Sequence, residues 1–253
     1  MRLSFLIPFR DADGSRTPGH QWLLKRWRHF WPDAEFCIAP DDGMEPFNKS
    51  LAVNNAALQA SGDIYIVLDA DTWVEPMWIE EALERIAKGI PWVIPVHKNM
   101  RLKKEFSEQL MALPPTLPSW SREAHMAGKR TLPPITMAQS ETHGPVVGFC
   151  HVMPRQAFEA VGGYDERIRG WGGEDTSFTW AMDIVNGHHR KLHGIAMCLW
   201  HARPRDEKNN RIWIGQDRKL EADKKRVVSA YNRALLGQTG SSRREAMLKA
   251  LER

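Results

Sequence analysis

The chain has 253 residues, of which 42% are hydrophobic and 26% charged. That is the composition of a globular protein with a core large enough to need neither disulfides nor a structural metal. The three cysteines, Cys37, Cys150 and Cys198, form neither a disulfide framework nor a CxxC knuckle, which fits a reducing compartment. No apolar run approaches the roughly 18 residues of a spanning helix. Met1-Arg2 leads into a short run closed by Pro8, unlike a signal peptide, so a cytoplasmic location is expected.

In chain order, strand-length apolar runs alternate with helix-period segments. The strands are expected at 3–7, 36–39, 64–68, 93–96, 146–152 and 195–199, and the helices at 21–30, 49–60, 76–88, 155–161 and 176–185. This alternation is the signature of an α/β layer fold with a mostly parallel central sheet. Pro76 suits a first helical turn, where its missing N–H would have had no partner. Residues 113–134 hold Pro114, Pro115, Pro118, Pro133 and Pro134, and read as a long loop of the kind that forms lids or binding surfaces.

Beyond His201 the sequence turns polar. Leu220, Val227, Val228, Tyr231 and Leu235 share one helical stripe within 217–236, stopped by Gly237, and 243–251 makes a second short helix. The net charge of +4 is uneven: residues 202–253 carry 14 Lys and Arg against 7 Asp and Glu, leaving a slightly acidic body. A basic tail of this kind is either a solvated helix face or a contact for phosphates, an acidic polymer or an anionic membrane surface.

Three places carry candidate chemistry. The run Asp63-Ile-Tyr-Ile-Val-Leu-Asp69-Ala-Asp71 drives a buried strand into two carboxylates at the sheet edge where open α/β folds bind ligands. Such oxygens suit Mn²⁺ or Mg²⁺ bridging a diphosphate; the bland alternative is a strand end followed by a helix cap at Asp71 or Thr72. Gly170-Trp171-Gly172-Gly173-Glu174-Asp175 sets glycine-permitted backbone freedom beside an aromatic ring and two acids. Asp175 is there either a helix cap or a base for an acceptor hydroxyl. His201 closes a third apolar run, either as a structural histidine or as a partner of Asp71 on a metal. His188, His189 and His193 lack a ligand pattern and read as surface or loop residues.

Taken together, Ile7-Pro8-Phe9-Arg10, Phe47-Asn48-Lys49, Asp69-Ala70-Asp71, Gly162-Gly163-Tyr164, Trp171-Gly172-Gly173-Glu174-Asp175 and His201 followed by Arg205-Asp206-Glu207-Lys208-Asn209 resemble the catalytic domain of β1,4-galactosyltransferases. They are also similar to the wider nucleotide-sugar glycosyltransferases of GT-A fold, including the polypeptide N-acetylgalactosaminyltransferases. The resemblance covers about residues 3–210.

It implies a Rossmann-like catalytic domain over 1–210 with a basic helical C-terminal extension over 211–253. Pro8, Phe9, Arg10, Phe47 and Lys49 would line the uridine and phosphate site, assisted by Asp69. Asp71 and His201 would bind Mn²⁺, with Asp69 and Cys198 as further candidates; the family has methionine where this chain has Cys198. Trp171, Gly172 and Gly173 would form a loop closing over the donor, Glu174 would orient sugar or acceptor, and Asp175 would be the base. The implied activity is a metal-dependent, inverting transfer of a hexose or N-acetylhexosamine from a UDP-sugar to a hydroxyl of a protein or glycan.

Competing readings are a non-catalytic sugar-nucleotide or glycan-binding module, a retaining glycosyltransferase, and a nucleotidyltransferase. The last would need a Gly-rich basic loop after the first strand, for which residues 10–16 are a poor substitute. The basic tail, with Trp120, Arg122, Lys129 and Arg130 of the proline-rich loop, leaves nucleic acid as a lower-ranked acceptor. Trp22, Trp27 and Trp31 fall near helical spacing and read as packing.

Overall fold

A computed structural model describes residues 1–117, 140–170 and 172–202. The elements, in order, are β1 (Leu3–Pro8), α1 (Thr17–Phe30), β2 (Glu35–Ala39), α2 (Lys49–Gln59), β3 (Ile64–Leu68), β4 (Thr72–Trp73) and α3 (Pro76–Ala87). They continue with β5 (Val93–Leu102), α4 (Lys104–Met111), β6 (Ser140–His143), β7 (Cys150–Pro154), α5 (Arg155–Val161), α6 (Glu174–Asn186) and β8 (Arg190–Cys198). The sheet order is β2-β1-β3-β7-β5-β8-β4, with β6 paired to β5.

Pairing is parallel across β2-β1-β3 and between β5 and β8. It is antiparallel where β7 joins the two halves, and where β4 and β6 are added. Five of the eight strands therefore run in one direction, as an α/β fold with a mostly parallel sheet requires.

Strand β3, in the middle of the parallel half, is apolar from end to end, and every one of its residues is buried. Helix α1 starts with Pro18 in its first turn and buries Trp22, Leu23, Arg26 and Trp27 along one stripe. Trp27 meets Phe5 of β1 and Trp73 of β4, with ring centroids 5.6 and 4.5 Å apart. Arg26 is fully buried, its guanidinium 4.2 Å from the Trp73 ring centroid, and donates to the carbonyls of Pro115 and Leu117 at 3.0 and 2.8 Å. Trp22 Nε1 donates to the Leu113 carbonyl at 2.9 Å, so α1 fixes the start of the proline-rich segment.

The remainder of that segment, with Trp120, Arg122, Lys129 and Arg130, lies outside the described residues. So do Trp171, the motif 205–209 and the proposed extension 211–253 with its two helices.

Several boundaries differ from the sequence expectation. Strands β5 and β8 are longer than their apolar portions, because pairing from Val93–Arg190 to Arg101–Cys198 is carried by backbone groups that polar residues also supply. Helix α4 was not expected: its eight residues bury only Phe106, Ser107 and Leu110, too short a stripe to show a period. Strand β7 begins at Cys150 and not at 146, since Phe149 has φ 75° and breaks the extended run. Helix α6 begins at Glu174, two residues early, behind Gly173 as N-cap with φ 92°, a conformation suited to glycine.

Candidate functional site

The topology gathers the candidate residues at one edge of the sheet. Phe9 and Arg10 leave β1, Asp41 leaves β2, Asp69 and Asp71 leave β3, and His201 leaves β8, all in the shared direction. Antiparallel β7 enters at the same edge, preceded by Gly148 and Phe149, with Leu68 opposite Cys150. The first turns of α2 and α6 bring Lys49, Glu174 and Asp175 there.

Asp71 and His201 meet: Oδ2 lies 3.1 Å from Nε2. Neither Asp71 nor Thr72 caps a helix, because Thr72 opens β4 and α3 starts behind Glu75. His201 Nδ1 donates to the Ala202 carbonyl at 2.8 Å, which turns Nε2 toward Asp71. Burial works to raise the Asp71 pKa, but the His201 ring and the Arg16 guanidinium outweigh it and hold the carboxyl at about 2.

An ionised carboxylate and an imidazole nitrogen fit Mn²⁺ or Mg²⁺. Among the described residues no group of three His, Cys, Asp or Glu is placed to hold an ion. Cys198 is buried, with Thr72 Oγ1 at 3.6 Å, and burial followed by the nearby Asp71 pushes its thiol pKa up, so it stays protonated and a poor ligand.

The second cluster centres on Lys49. Its Nζ lies 2.8 Å from Asp69 Oδ1, 2.9 and 3.0 Å from the two oxygens of Asp175, and 3.7 Å from Glu174 Oε1. One cation cannot neutralise three carboxylates, and the most distant gives way: burial first, then the charge of Asp175, raises the Glu174 pKa to about 8. Burial also raises Asp69 in spite of Lys49. For Asp175, burial is overcome by Lys49 and His151, and the pKa falls below the ordinary carboxylate value. Lys49 itself, though burial opposes its charge, is held charged by Asp175, Asp69 and Glu174. Glu174 Oε2 is buried with no hydrogen-bond partner among the described residues.

The residues matched to the nucleotide site are in place but already engaged. Arg10 donates to both oxygens of Asp41 at 3.2 Å, to the Met44 carbonyl at 3.0 Å and to Glu45 at 2.9 Å, and lies 5.2 Å from the centroid of the Phe47 ring. Phe9 follows Pro8 and stacks on His20 at 4.1 Å. The Phe47 carbonyl accepts from Gly170 N at 3.0 Å, tying the loop before Trp171 to this strip. Gly172 and Gly173, with φ 97° and 92°, hold the left-handed backbone expected of glycine there.

Several positioning residues escaped the sequence reading. His20 Nδ1 donates to the Ala70 carbonyl at 3.2 Å, fixing the turn between the two aspartates. Asn54 accepts from Tyr164 N and donates to the Tyr164 carbonyl, each at 2.9 Å, fastening α2 to the Gly162-Gly163-Tyr164 turn. Tyr164 donates to His151 Nδ1 at 2.7 Å, because Nε2 is committed to the Val147 carbonyl at 2.5 Å. Burial, above all, keeps His151 neutral, with a pKa of about 4. A Cβ on Gly148 would run into Asp175 Oδ2, so a side chain here requires the carboxylate to shift. The Phe149 carbonyl accepts from Asp69 N at 3.1 Å, so a strained residue holds the end of β3; strain of this kind costs about 1–3 kcal/mol. No periodicity marks these residues; the one signal in sequence was the Gly162-Gly163-Tyr164 motif.

An α/β sheet with paired aspartates at its carboxyl edge and an acidic helix start facing them is the arrangement of a GT-A fold glycosyltransferase. A family model, "Glycosyl transferase family 2", matches residues 13–162, more than half of the chain, and the chain belongs to that family. Among solved structures, the catalytic domain of Drosophila β1,4-galactosyltransferase 7 in complex with xylobiose is 15% identical with a TM-score of 0.41, over 76% of this chain and 67% of that one. A mutant of the same Drosophila enzyme in complex with manganese, UDP-Gal and xylobiose is 16% identical with a TM-score of 0.44, over 75% and 64%. This chain therefore spans about two thirds of the length of those structures. No curated protein sequence matches it.

Proposed function

We propose that this glycosyltransferase moves a hexose or N-acetylhexosamine from a UDP-sugar to an acceptor hydroxyl on a protein or glycan, with a divalent cation and with inversion. The observation that carries this reading is the continuity of the charged string His201, Asp71, Asp69, Lys49, Asp175, in which Asp69 and Asp71 are one residue apart and Lys49 contacts both Asp69 and Asp175. Residues 1–210 form the catalytic unit in this reading, and 211–253 a basic extension.

Asp71 and His201 would hold Mn²⁺ or Mg²⁺, which neutralises charge on the departing diphosphate. Asp175 takes the proton of the acceptor O–H as its oxygen attacks the anomeric carbon; the bond from that carbon to the phosphate oxygen breaks and UDP leaves. Lys49 keeps Asp175 ionised, the state a base requires. Glu174, neutral at pH 7 and with a buried unpartnered oxygen, is set to donate a hydrogen bond to a sugar or acceptor oxygen. Arg10, Phe9 and Phe47 would border the nucleotide site, with Trp171, Gly172 and Gly173 assigned in this reading to closing over the donor.

The test is incubation with a panel of UDP-sugars and Mn²⁺, with and without acceptors. Release of UDP, its loss in Asp71→Asn, and an inverted product anomer by NMR are expected. Retained configuration overturns the inverting mechanism. Pyrophosphate would mean nucleotidyl transfer, and binding without turnover a non-catalytic module.

A further inference from the structure

We propose that Arg16 is a built-in counter-cation of the Asp71–His201 pair, which a divalent ion must displace in order to bind; this rests on the reading of that pair as the ion site. The turn between β1 and α1 is organised by one carboxylate. Asp11 Oδ2 accepts from Thr17 N at 2.7 Å, Thr17 Oγ1 at 2.6 Å and Arg16 N at 3.2 Å, while Oδ1 accepts from Gly14 N at 3.0 Å. Ser15 Oγ accepts from Ala202 N at 3.0 Å and joins the turn to the residue after His201. Residues 10–16, unpromising as a phosphate loop, thus deliver a guanidinium to the end of β8.

Arg16 Nη2 lies 3.2 Å from His201 Nε2. Asp71 Oδ2 lies 3.1 Å from the same nitrogen, so guanidinium and carboxylate meet at the ring atom that an ion would take. A guanidinium has only donors and keeps its charge, so it stands as a cation where the ion would bind. Arg16 and an ion cannot share that place. The same guanidinium offsets the Asp71 carboxylate, and an arriving ion would put two cations side by side unless Arg16 withdrew. Arg16 is therefore a positioning residue, holding the pair assembled before the ion arrives.

The experiment is calorimetric titration of Mn²⁺ alone into the full chain after removal of bound metal, for the wild type, Arg16→Gln, Arg16→Lys and Asp71→Asn, with melting curves without and with Mn²⁺. Arg16→Gln is expected to bind Mn²⁺ about tenfold more tightly, the scale of one like-charge repulsion removed from beside the ion. Ion-free, it should melt below the wild type and recover on adding Mn²⁺. Arg16→Lys, which keeps the charge, should stay near the wild type. Should Arg16→Gln not fold, Ser15→Ala loosens the same turn and should shift affinity in the same direction. Equal or weaker binding by the neutral variant, with Asp71→Asn still abolishing it, overturns the role of Arg16 and leaves the ion site standing. Binding indifferent to Asp71→Asn overturns the ion site and the proposal together.

Discussion

Lys49 Nζ sits 2.9 Å from Oδ1 and 3.0 Å from Oδ2 of Asp175, a residue 126 positions away in the chain. The contact joins the start of α2 to the start of α6 and leaves Asp69 and Glu174 around the same ammonium. Removing the ammonium leaves buried like charges. Lys49→Met should cost about 3–5 kcal/mol of stability at neutral pH, read as a lower denaturant midpoint. The Asp175 pKa is depressed by folding, so its contribution is present above the unfolded carboxylate value and lost as pH falls through the lower folded value. The deficit of Lys49→Met should therefore shrink below about pH 4. A deficit that is constant with pH would show that the ammonium acts by packing alone.

Asp175→Asn preserves shape and removes the base. Transfer should fall by roughly 10²–10⁴-fold, the usual worth of a positioned base, with UDP-sugar binding retained. Wild-type turnover in this variant would move the base elsewhere.

Glu174 has the opposite linkage. Its folded pKa of about 8 stands above the ordinary 4.5, so between those values the folded state holds a proton that the unfolded state lacks. Stability should then fall as pH rises through that window, by up to about 1.4 kcal/mol per unit. Glu174→Gln should flatten the slope and melt above the wild type at pH 8. Parallel denaturation curves for the two proteins at pH 5 and pH 8 would contradict the assignment.

Gly148→Ala tests the backing of Asp175. The added methyl would collide with Oδ2 and must push the carboxylate away. A misplacement near 1 Å costs about a hundredfold in rate, so turnover should drop while UDP binding, measured by calorimetry, stays. Unchanged turnover would mean that the carboxylate yields without consequence.

The acidic termini of β3 and α6 were legible in the sequence because each is a local event: a continuous apolar run ending in Asp69-Ala-Asp71, and glycines at 172 and 173 ahead of Glu174-Asp175. The polar halves of β5 and β8 were not, since hydropathy fades while backbone pairing continues. Arg16 was read only as part of a poor phosphate loop, and His20 and Gly148 carried no pattern, because each acts through a contact with a residue far along the chain.

Residue order by itself determined the α/β class and nominated Asp71, His201, Glu174 and Asp175, for strand ends and helix starts are written in short-range periodicity. Only the tertiary structure decided that antiparallel β7 brings Gly148 against Asp175, that Lys49 stands among three acids, and that Arg16 meets His201. Strand order and direction set those meetings, and neither is encoded in the composition of any one segment.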